Sequence, residues 1–268
     1  MTADPQFQGP PTAVALDIDG TLIDHDEGMS GAVVDAVQRT AARVPVILAT
    51  GRAWSTTRPV AERLGLPAGG FVVCSNGART LRYPDGEVID ERTFDPSTVI
   101  ESVRKYAPNA RMAVEDSDGS YLVTAPFPDG DLGRDARIRV VSEADLAPEP
   151  VTRLIIRDPE QSESDFVYLA ERLGLHGVSY FVGWTAWLDI APEGVDKSTG
   201  LKVALAQLDL DPSGLLAIGD GRNDIEMLTY AGLGIAMGSA PDEVKVAADE
   251  VTKSVQDDGV AAVLNRWF

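Results

Sequence analysis

Near its start the chain reads Val14-Ala-Leu-Asp-Ile-Asp-Gly-Thr21, an apolar run that ends in two alternating carboxylates. Side chains alternate across a strand with a period of two, so Asp17 and Asp19 are expected to project to the same side before the Gly20 turn. Two anions held that close raise each other's pKa unless a cation or a shared proton compensates. The pair therefore predicts a metal site or an acid-base dyad. The alternative is an ordinary Asp-Gly turn at a strand end.

The composition is that of a globular protein that does not bind polyanions. Its 268 residues, 44% of them hydrophobic, suffice for one large or two modest domains. The formal net charge is -19 at pH 7 and no basic stripe is present, so binding to nucleic acid or to an anionic membrane is not expected. Because no apolar run is long enough to span a membrane and residues 1–11 lack a signal-peptide core, we expect a cytoplasmic protein.

The single cysteine and the two histidines are not expected to carry chemistry. Cys74 lies inside an apolar run, which favours a buried and inert thiol. His25 lies in an acidic loop and His176 in a turn flanked by glycines, so we interpret both as solvated loop residues. A zinc site or a catalytic histidine is therefore not predicted.

Short buried strands alternate with helices in the first and last thirds of the chain. Besides the opening strand, the predicted strands are 44–49, 71–74, 215–218 and 234–237. This alternation predicts right-handed βαβ units and a parallel sheet that is buried on both faces. We therefore predict an α/β fold with a Rossmann-like core.

The middle of the chain has a different rhythm. An Asp-Gly pair at 85–86 predicts a hairpin. Further candidates are the helices 96–106 and 162–173 and the strands 112–114, 120–124 and 153–157. This mixture is typical of an α+β unit. We predict a core made of residues 1–82 and 190–268, with residues 83–189 as an inserted α+β cap.

Polar residues follow four of the predicted core strands. They are Asp17 with Asp19, then Thr50, Asn76 and Asp220. The carboxyl ends of parallel strands face one crevice, where ligands bind. Carboxylates from Asp17, Asp19, Asp220 and Asp224 cannot share that crevice without a cation, and oxygen ligands suit a hard ion such as Mg²⁺. Donors suited to a phosphoryl oxygen come from Thr50, Asn76, Asn223 and Lys197. The sequence thus predicts a phosphate-handling site.

Four ordered motifs resemble those of the haloacid dehalogenase (HAD) superfamily of phosphotransferases. They are Asp17-Ile-Asp-Gly-Thr21, Thr50-Gly-Arg52, Lys197, and Gly219-Asp-Gly-Arg-Asn-Asp224. Ser75-Asn-Gly-Ala78 and Ala236-Met-Gly238 resemble the Cof-type subgroup (class IIB), whose α+β cap is inserted between the second and third motifs. The resemblance spans nearly the whole chain. It implies a HAD-like core whose inserted cap sets substrate specificity.

The resemblance also implies roles for individual residues. Asp17 would be the nucleophile that forms an aspartyl-phosphate, and Asp19 the general acid and base. Thr50 and Lys197 would neutralise charge on the transferring phosphoryl group. The implied substrate-binding residues are Thr50, Gly51, Arg52, Asn76, Lys197 and Asn223. Arg52 fits a structural ion pair equally well, and the alternative role for Asn223 is to support Asp220. The implied Mg²⁺ ligands are Asp17, the backbone carbonyl of Asp19 and Asp220, with Asp224 as a further ligand or as a residue that supports the others.

The function that this resemblance implies is a Mg²⁺-dependent phosphomonoester hydrolase for small phosphorylated metabolites, above all sugar phosphates. The protein would act as a monomer or a small homo-oligomer. A phosphomutase of the same superfamily is the alternative enzyme, and it would need cap arginines for a second phosphate, with Arg134, Arg137 and Arg139 as candidates. Two alternatives of other classes are disfavoured. A phospho-acceptor signalling domain would need no large insertion, and this chain has one. A non-enzymatic binding protein would not need the intact set of acidic residues and Lys197 that this chain keeps.

Overall fold

The structure is a computed structural model that describes residues 9–24, 26, 28–116, 119–133, 136–173, 178–182 and 187–268. The predictions for His25 and His176, and the mutase candidate Arg134, lie outside these residues.

The described residues form strands and helices that alternate in the first and last parts of the chain, with runs of consecutive strands between them. The strands are β1 (Ala13–Leu16), β2 (Val46–Ala49), β3 (Phe71–Cys74), β4 (Arg79–Arg82), β5 (Glu87–Glu91), β6 (Arg111–Glu115), β7 (Tyr121–Val123), β8 (Ile138–Val140), β9 (Leu154–Arg157), β10 (Val178–Val182), β11 (Trp187–Pro192), β12 (Leu215–Gly219), β13 (Leu233–Ala236) and β14 (Glu250–Val251). The helices are α1 (Gly31–Ala41), α2 (Trp54–Arg63), α3 (Ser97–Tyr106), α4 (Glu163–Leu173), α5 (Lys197–Leu208), α6 (Ile225–Tyr230), α7 (Asp242–Ala247) and α8 (Gly259–Leu264). None of the helices in these ranges has the length and apolar character to cross a membrane.

The first sheet has the strand order β14-β13-β12-β1-β2-β3-β4-β5. The strands from β14 to β3 are parallel, and the hairpin of β4 and β5 extends the sheet in antiparallel fashion. Alternate residues of β1 face opposite sides, so Leu16 packs with α1 and α8 while Ala15 packs with α5 and α6. The sheet is therefore buried on both faces, as predicted for the α/β core.

The second sheet has the strand order β10-β11-β9-β6-β7-β8 and is mostly antiparallel. Leu154 and Ile156 face α3 and α4 in one apolar cluster. The intervening Ile155 lies on the opposite face, in a cluster with Tyr121. That cluster also includes Ala53, which directly precedes α2 and so lies next to the first sheet. The second sheet thus turns one face to its own helices and the other face to the first sheet. We call it the cap sheet.

The two sheets change over at different residues from those predicted. Glu87–Glu91 falls within the predicted cap range of 83–189, but it pairs with β4 and so completes the edge of the first sheet. Trp187–Pro192 pairs antiparallel with β9 and β10, so the cap sheet continues past residue 189. The predicted cap range therefore includes one strand of the first sheet and ends within a strand of the cap sheet. A short apolar run does not reveal which sheet it joins.

A helix cap is well defined in the structure, and the prediction of a buried Cys74 is confirmed. Ser30 caps α1, because its hydroxyl accepts a hydrogen bond of 3.1 Å from the backbone N–H of Val33. Cys74 is fully buried, and this burial raises the pKa of its thiol to about 12. The thiol is therefore protonated at neutral pH and unsuited to nucleophilic chemistry.

Candidate active site

The candidate site lies where neighbouring parallel strands of the first sheet end. Asp17 follows β1, Thr50 follows β2, and Asp220 follows β12. Their backbones continue the ladder: the N–H of Asp17 donates to the carbonyl of Ile218 at 3.0 Å, and that of Thr50 to the carbonyl of Val73 at 2.9 Å. Because the strands are parallel, these ends share one edge of the sheet.

Three carboxylates converge at this edge. Each of Asp17, Asp220 and Asp224 offers one oxygen, and these oxygens lie within 4.8 Å of one another. The ammonium group of Lys197 donates to Oδ1 of Asp17 at 2.6 Å and to Oδ1 of Asp224 at 2.5 Å. Lys197 is the first residue of α5, and its position is fixed because Asp196 caps that helix through the N–H of Thr199 at 3.1 Å. One buried cation thus faces three carboxylates.

The electrostatics of this acidic cluster reflect that imbalance. Burial raises the pKa of Asp17 well above its usual value; Asp224 raises it further, and Lys197 opposes both. Burial and Asp224 raise the pKa of Asp220 to about 7, against the opposing effects of Lys197 and of the hydrogen bond from Thr21. Burial lowers the pKa of Lys197, but Asp17 and Asp224 outweigh it and raise the value overall. A cluster of oxygen ligands that is short of positive charge fits a hard divalent cation.

Two local features shape the cluster. Oδ2 of Asp224 accepts the backbone N–H groups of Asp220 at 2.9 Å and of Gly221 at 2.8 Å, so it holds the loop that presents Asp220. Gly20 has a φ of +80°, and a Cβ at this position would lie 2.2 Å from Oδ2 of Asp220. The Asp-Gly turn therefore needs glycine both for its backbone conformation and for the space that Asp220 occupies.

Asp19 lines the same cleft as Asp17 but lies outside the acidic cluster. Its carboxylate accepts two hydrogen bonds from Arg52, 2.9 Å from Nε to Oδ2 and 2.6 Å from Nη2 to Oδ1. The Asp19 side chain remains 59% exposed. Strict alternation does not extend to Asp19 because β1 ends at Leu16 and the chain then turns. Arg52 is thus an ion-pair partner that also faces the cleft.

The remaining predicted site residues surround this cluster. Thr50 is fully buried, and its hydroxyl oxygen accepts the backbone N–H of Arg52 at 3.1 Å. The residues that line the cleft include Gly51, Arg52, Asn76 and Asn223. Asn76 accepts a hydrogen bond from Asn223 at 2.9 Å and donates one to Asp189 at 2.8 Å. All the predicted site residues therefore meet at this edge, with Thr50, Lys197 and Asp224 buried behind the cleft surface.

The cap sheet contributes residues that the sequence analysis missed. Arg153 donates to Oδ1 of Asp189 at 2.6 Å from Nε and to Oδ2 at 2.5 Å from Nη2, and its Nη1 lies 3.4 Å from the hydroxyl of Tyr121. All three are buried and line the cleft, where Trp187 also packs edge-on against Phe127. The sequence did contain one signal for these residues. Asp189 lies between the apolar Leu188 and Ile190, and a charged residue in such a run indicates a buried charge that needs a partner.

The described charges on the cap side of the cleft are matched in pairs. Burial lowers the pKa of Arg153, but Asp189 outweighs it and raises the value overall. Burial raises the pKa of Tyr121, so its phenol is neutral at physiological pH. Asp131, also at the cleft, accepts a hydrogen bond of 2.8 Å from Arg157. The cleft, about 310 Å³ in volume, thus has an unbalanced acidic floor and a charge-balanced cap wall.

Fold and site together define an α/β enzyme of the phosphate-handling kind, with a cap over the carboxyl edge of its sheet. The chain belongs to the haloacid dehalogenase-like hydrolases, whose family model matches residues 14–264. It is of the Cof type, as its motifs predicted, and it is a phosphatase by class.

Relatives of known sequence and structure extend this likeness over the whole chain. A phosphoglycolate phosphatase from Natronomonas pharaonis is 30% identical over 255 residues, which are 94% of this chain and 96% of the relative. The crystal structure of a haloacid dehalogenase-like hydrolase from Bacteroides thetaiotaomicron matches with a TM-score of 0.82 and 26% identity, covering 97% of this chain and 100% of that one. A sugar phosphatase of HAD subclass IIB, at 20% identity and a TM-score of 0.78 over 95% of this chain and 98% of that one, shares the fold.

Proposed function

We propose that this chain is a Mg²⁺-dependent phosphomonoester hydrolase that acts on small phosphorylated metabolites, above all sugar phosphates, through an aspartyl-phosphate on Asp17. The observation that carries the proposal is the buried acidic cluster of Asp17, Asp220 and Asp224 with Lys197 at the base of a cleft. Such a cluster needs further positive charge, and it adjoins the cleft in which a substrate would lie. Both properties suit transfer of an anionic phosphoryl group.

The metal would be held by the carboxylates of Asp17, Asp220 and Asp224 and by the backbone carbonyl of Asp19. When bound, Mg²⁺ supplies electrostatic stabilisation of the negative charge on the transferring phosphoryl group. Lys197 supplies a second positive charge from behind Asp17, and its hydrogen bond favours the ionised, nucleophilic form of that carboxylate. Thr50 supplies a hydroxyl group from the neighbouring strand end.

The reaction has two steps in this proposal. An Asp17 oxygen attacks phosphorus while the ester bond breaks, and the leaving oxygen takes a proton from Asp19. Water then attacks phosphorus, the bond to Asp17 breaks, and the proton from water passes to Asp19, so phosphate leaves and both carboxyl groups return to their starting state. Because the Asp19 side chain is 59% exposed, it has room to turn between Arg52 and the leaving group.

The charge-balanced cap wall favours a hydrolase over a mutase. A mutase must hold a second phosphate, which calls for positive charge that no carboxylate has neutralised. Among the described residues, Arg153 is matched by Asp189 at the cleft, and the mutase candidate Arg139 is 2.6 Å from Asp116. The same balance favours a neutral leaving group rich in hydroxyls over one that carries a carboxylate.

The test is phosphate release with Mg²⁺ from a panel of sugar phosphates, phosphoglycolate, other small phosphomonoesters and an aryl phosphate. We expect the wild type to hydrolyse sugar phosphates fastest. Asp17→Asn should lower turnover by about a thousandfold or more, since the amide is a poor nucleophile. Asp35→Asn, the same substitution at an exposed position of α1, is the matched control and should leave turnover unchanged.

Three outcomes would contradict the proposal. Comparable turnover by Asp17→Asn and wild type would rule out Asp17 as the nucleophile. A wild type that releases no phosphate from any member of the panel would rule out the proposed hydrolase activity. Isomerisation of a sugar phosphate that depends on added sugar bisphosphate would replace it with a mutase.

A further inference from the structure

Asn76 connects the loop Asp220–Asp224, which follows β12 of the first sheet, to the cap sheet. Its Oδ1 accepts a hydrogen bond of 2.9 Å from Nδ2 of Asn223, which lies in the loop between Asp220 and Asp224. Its Nδ2 donates a hydrogen bond of 2.8 Å to Oδ2 of Asp189, which lies on β11 of the cap sheet. Asn76 is 2% exposed. One buried amide therefore joins two parts of the molecule that are far apart in sequence.

The chemistry of these groups fixes the direction of the chain of hydrogen bonds. Both carboxylate oxygens of Asp189 accept hydrogen bonds from Arg153, so Asp189 acts as an acceptor and Asn76 must turn its NH₂ group toward the cap. The carbonyl of Asn76 then points to the loop Asp220–Asp224, and Asn223 must donate its NH₂ group to that carbonyl. The Oδ1 of Asn223 is left facing Gly221, where a Cβ would lie only 2.4 Å from it. A carboxylate on the cap thus sets the orientation of two amides in succession.

Asp189 is itself held firmly on the cap side. Arg153 binds both of its carboxylate oxygens, and all of these side chains are buried. Asn76 has a φ of 53°, a left-handed conformation that asparagine tolerates better than most residues. The position of the Asn76 amide is therefore determined from its own backbone and from the cap together.

We propose that Asn76 is a positioning residue that couples the placement of the cap sheet to the loop Asp220–Asp224. With Asp189 in contact, the Asn76 amide has one orientation, which holds Asn223 and through it the backbone that presents Asp220. Any displacement of Asp189 from Asn76 leaves the amide free to present either end, and the loop loses a fixed partner. The effect on turnover rests on the proposed function, whereas the effect on the loop does not.

The first test measures the loop directly. Hydrogen-deuterium exchange of the metal-free full chain would be followed in peptides that cover 219–228 in wild type, Asn76→Gly and Asp189→Asn. Glycine keeps the left-handed backbone at position 76 while removing the amide. Asp189→Asn changes a cap residue that is hydrogen-bonded to Asn76 and Arg153, and it replaces the obligate acceptor by an amide that can present either end to Asn76. We expect faster exchange in 219–228 in both variants, with unchanged exchange in peptides that cover β2.

Ser55→Ala is the matched control. The Ser55 hydroxyl donates to the carbonyl of Gly119 at 2.5 Å, and Gly119 lies between β6 and β7 of the cap sheet. This change therefore also removes one hydrogen bond between α2 and the part of the chain that carries the cap sheet. Ser55 is in α2 and takes no part in the amide chain. Its exchange in 219–228 should match that of the wild type. Equal exchange in Asn76→Gly and Ser55→Ala would overturn the proposal.

The second test uses turnover. Misplacement of a metal-bearing loop lowers catalysis more than binding, so Asn76→Gly should lower kcat by about tenfold or more with a smaller change in KM, and Ser55→Ala should not lower kcat. A change confined to KM would make Asn76 a substrate contact and would contradict the positioning role. If the wild type releases no phosphate, the proposed function fails while the exchange experiment still decides the coupling.

Discussion

Two buried clusters of charge face each other across the cleft, and they are built on opposite principles. On the floor, Lys197 meets the carboxylates of Asp17 and Asp224, with Asp220 beside them. On the cap wall, Arg153 pairs with one carboxylate, that of Asp189, through both of its oxygens. Among the residues that the structure describes, the floor has an excess of negative charge and the wall has none. The floor cluster therefore needs a bound cation to balance its charge, whereas the wall pair is balanced without a ligand.

The difference has a physical basis in desolvation. A buried charge is costly unless a partner of opposite sign and enough hydrogen bonds replace the water it has lost. Asp189 meets this condition with Arg153 and Asn76, whereas burial and neighbouring carboxylates raise the pKa values of Asp17 and Asp220. A folded chain retains such an unfavourable arrangement where function uses it.

The largest expected effect follows from removing the cation of the floor. Lys197→Met leaves the buried Asp17 and Asp224 and the partly buried Asp220 without this cation, and we expect the free energy of unfolding to fall by about 3 to 5 kcal/mol at pH 8 without metal. The loss should be smaller at pH 5, where protons take over part of the compensation. Urea unfolding monitored by circular dichroism measures both values.

Lys202→Met is the control for this prediction. Lys202 lies on the same helix, α5, but is exposed, so its loss should change stability by less than about 1 kcal/mol. Equal destabilisation by the two substitutions would show that the floor is not short of positive charge.

The second prediction concerns pH and metal. The folded-state pKa of Asp220 is raised from 3.8 to about 7, so between these values the folded chain keeps a proton that the unfolded chain has lost. The contribution of this group to stability is therefore present below about pH 4 and is lost as the pH rises through about 7. Mg²⁺ competes with that proton, so it should stabilise the protein more at pH 8 than at pH 5.

Thermal unfolding of the protein at several pH values, with EDTA or with Mg²⁺, measures this dependence. Asp220→Asn removes the titrating group and should flatten the decline of stability in EDTA. A wild type and a variant with identical pH profiles would rule out Asp220 as its source. Equal stabilisation by Mg²⁺ at pH 5 and pH 8 would argue against a metal bound by carboxylates that must first lose protons.

The smallest expected effect on stability comes from the ion pair at the mouth of the cleft, in which the Asp19 carboxylate is exposed. Arg52→Ala removes both hydrogen bonds to Asp19, but a pair with an exposed carboxylate contributes no more than about 1 kcal/mol. Activity should fall more than stability, because Asp19 then loses the group that orients it. Chemical unfolding and turnover of the same preparation give the two numbers. A loss of stability well above 1 kcal/mol with full activity would make the pair structural.

The floor of the cleft was accessible from sequence because it is built from strand ends. Asp17, Thr50, Asn76 and Asp220 each follow a strand, and a parallel sheet brings such ends to one edge whatever the details of packing. Lys197 was found because it opens a helix within a recognisable order of motifs. Local pattern and sheet topology were sufficient for these residues.

The cap wall was not accessible in the same way. Arg153 and Asp189 are 36 residues apart, and their contact depends on the register that sets Asp189 opposite Ile155 in neighbouring antiparallel strands. A shift of that register by one residue would turn Asp189 to the other face of the cap sheet. No local pattern specifies such a register.

The sequence by itself determined the alternating core and the position of its acidic cluster, because hydrophobic periodicity and strand direction are local properties with a fixed geometric consequence. Only the tertiary structure decided that Asp19 pairs with Arg52, that Arg153 and Asp189 neutralise each other, and that Asn76 joins Asp189 to Asn223. These outcomes depend on which side chains meet when two sheets pack face to face. Burial then makes each meeting energetically decisive, since a buried polar group without a partner is costly.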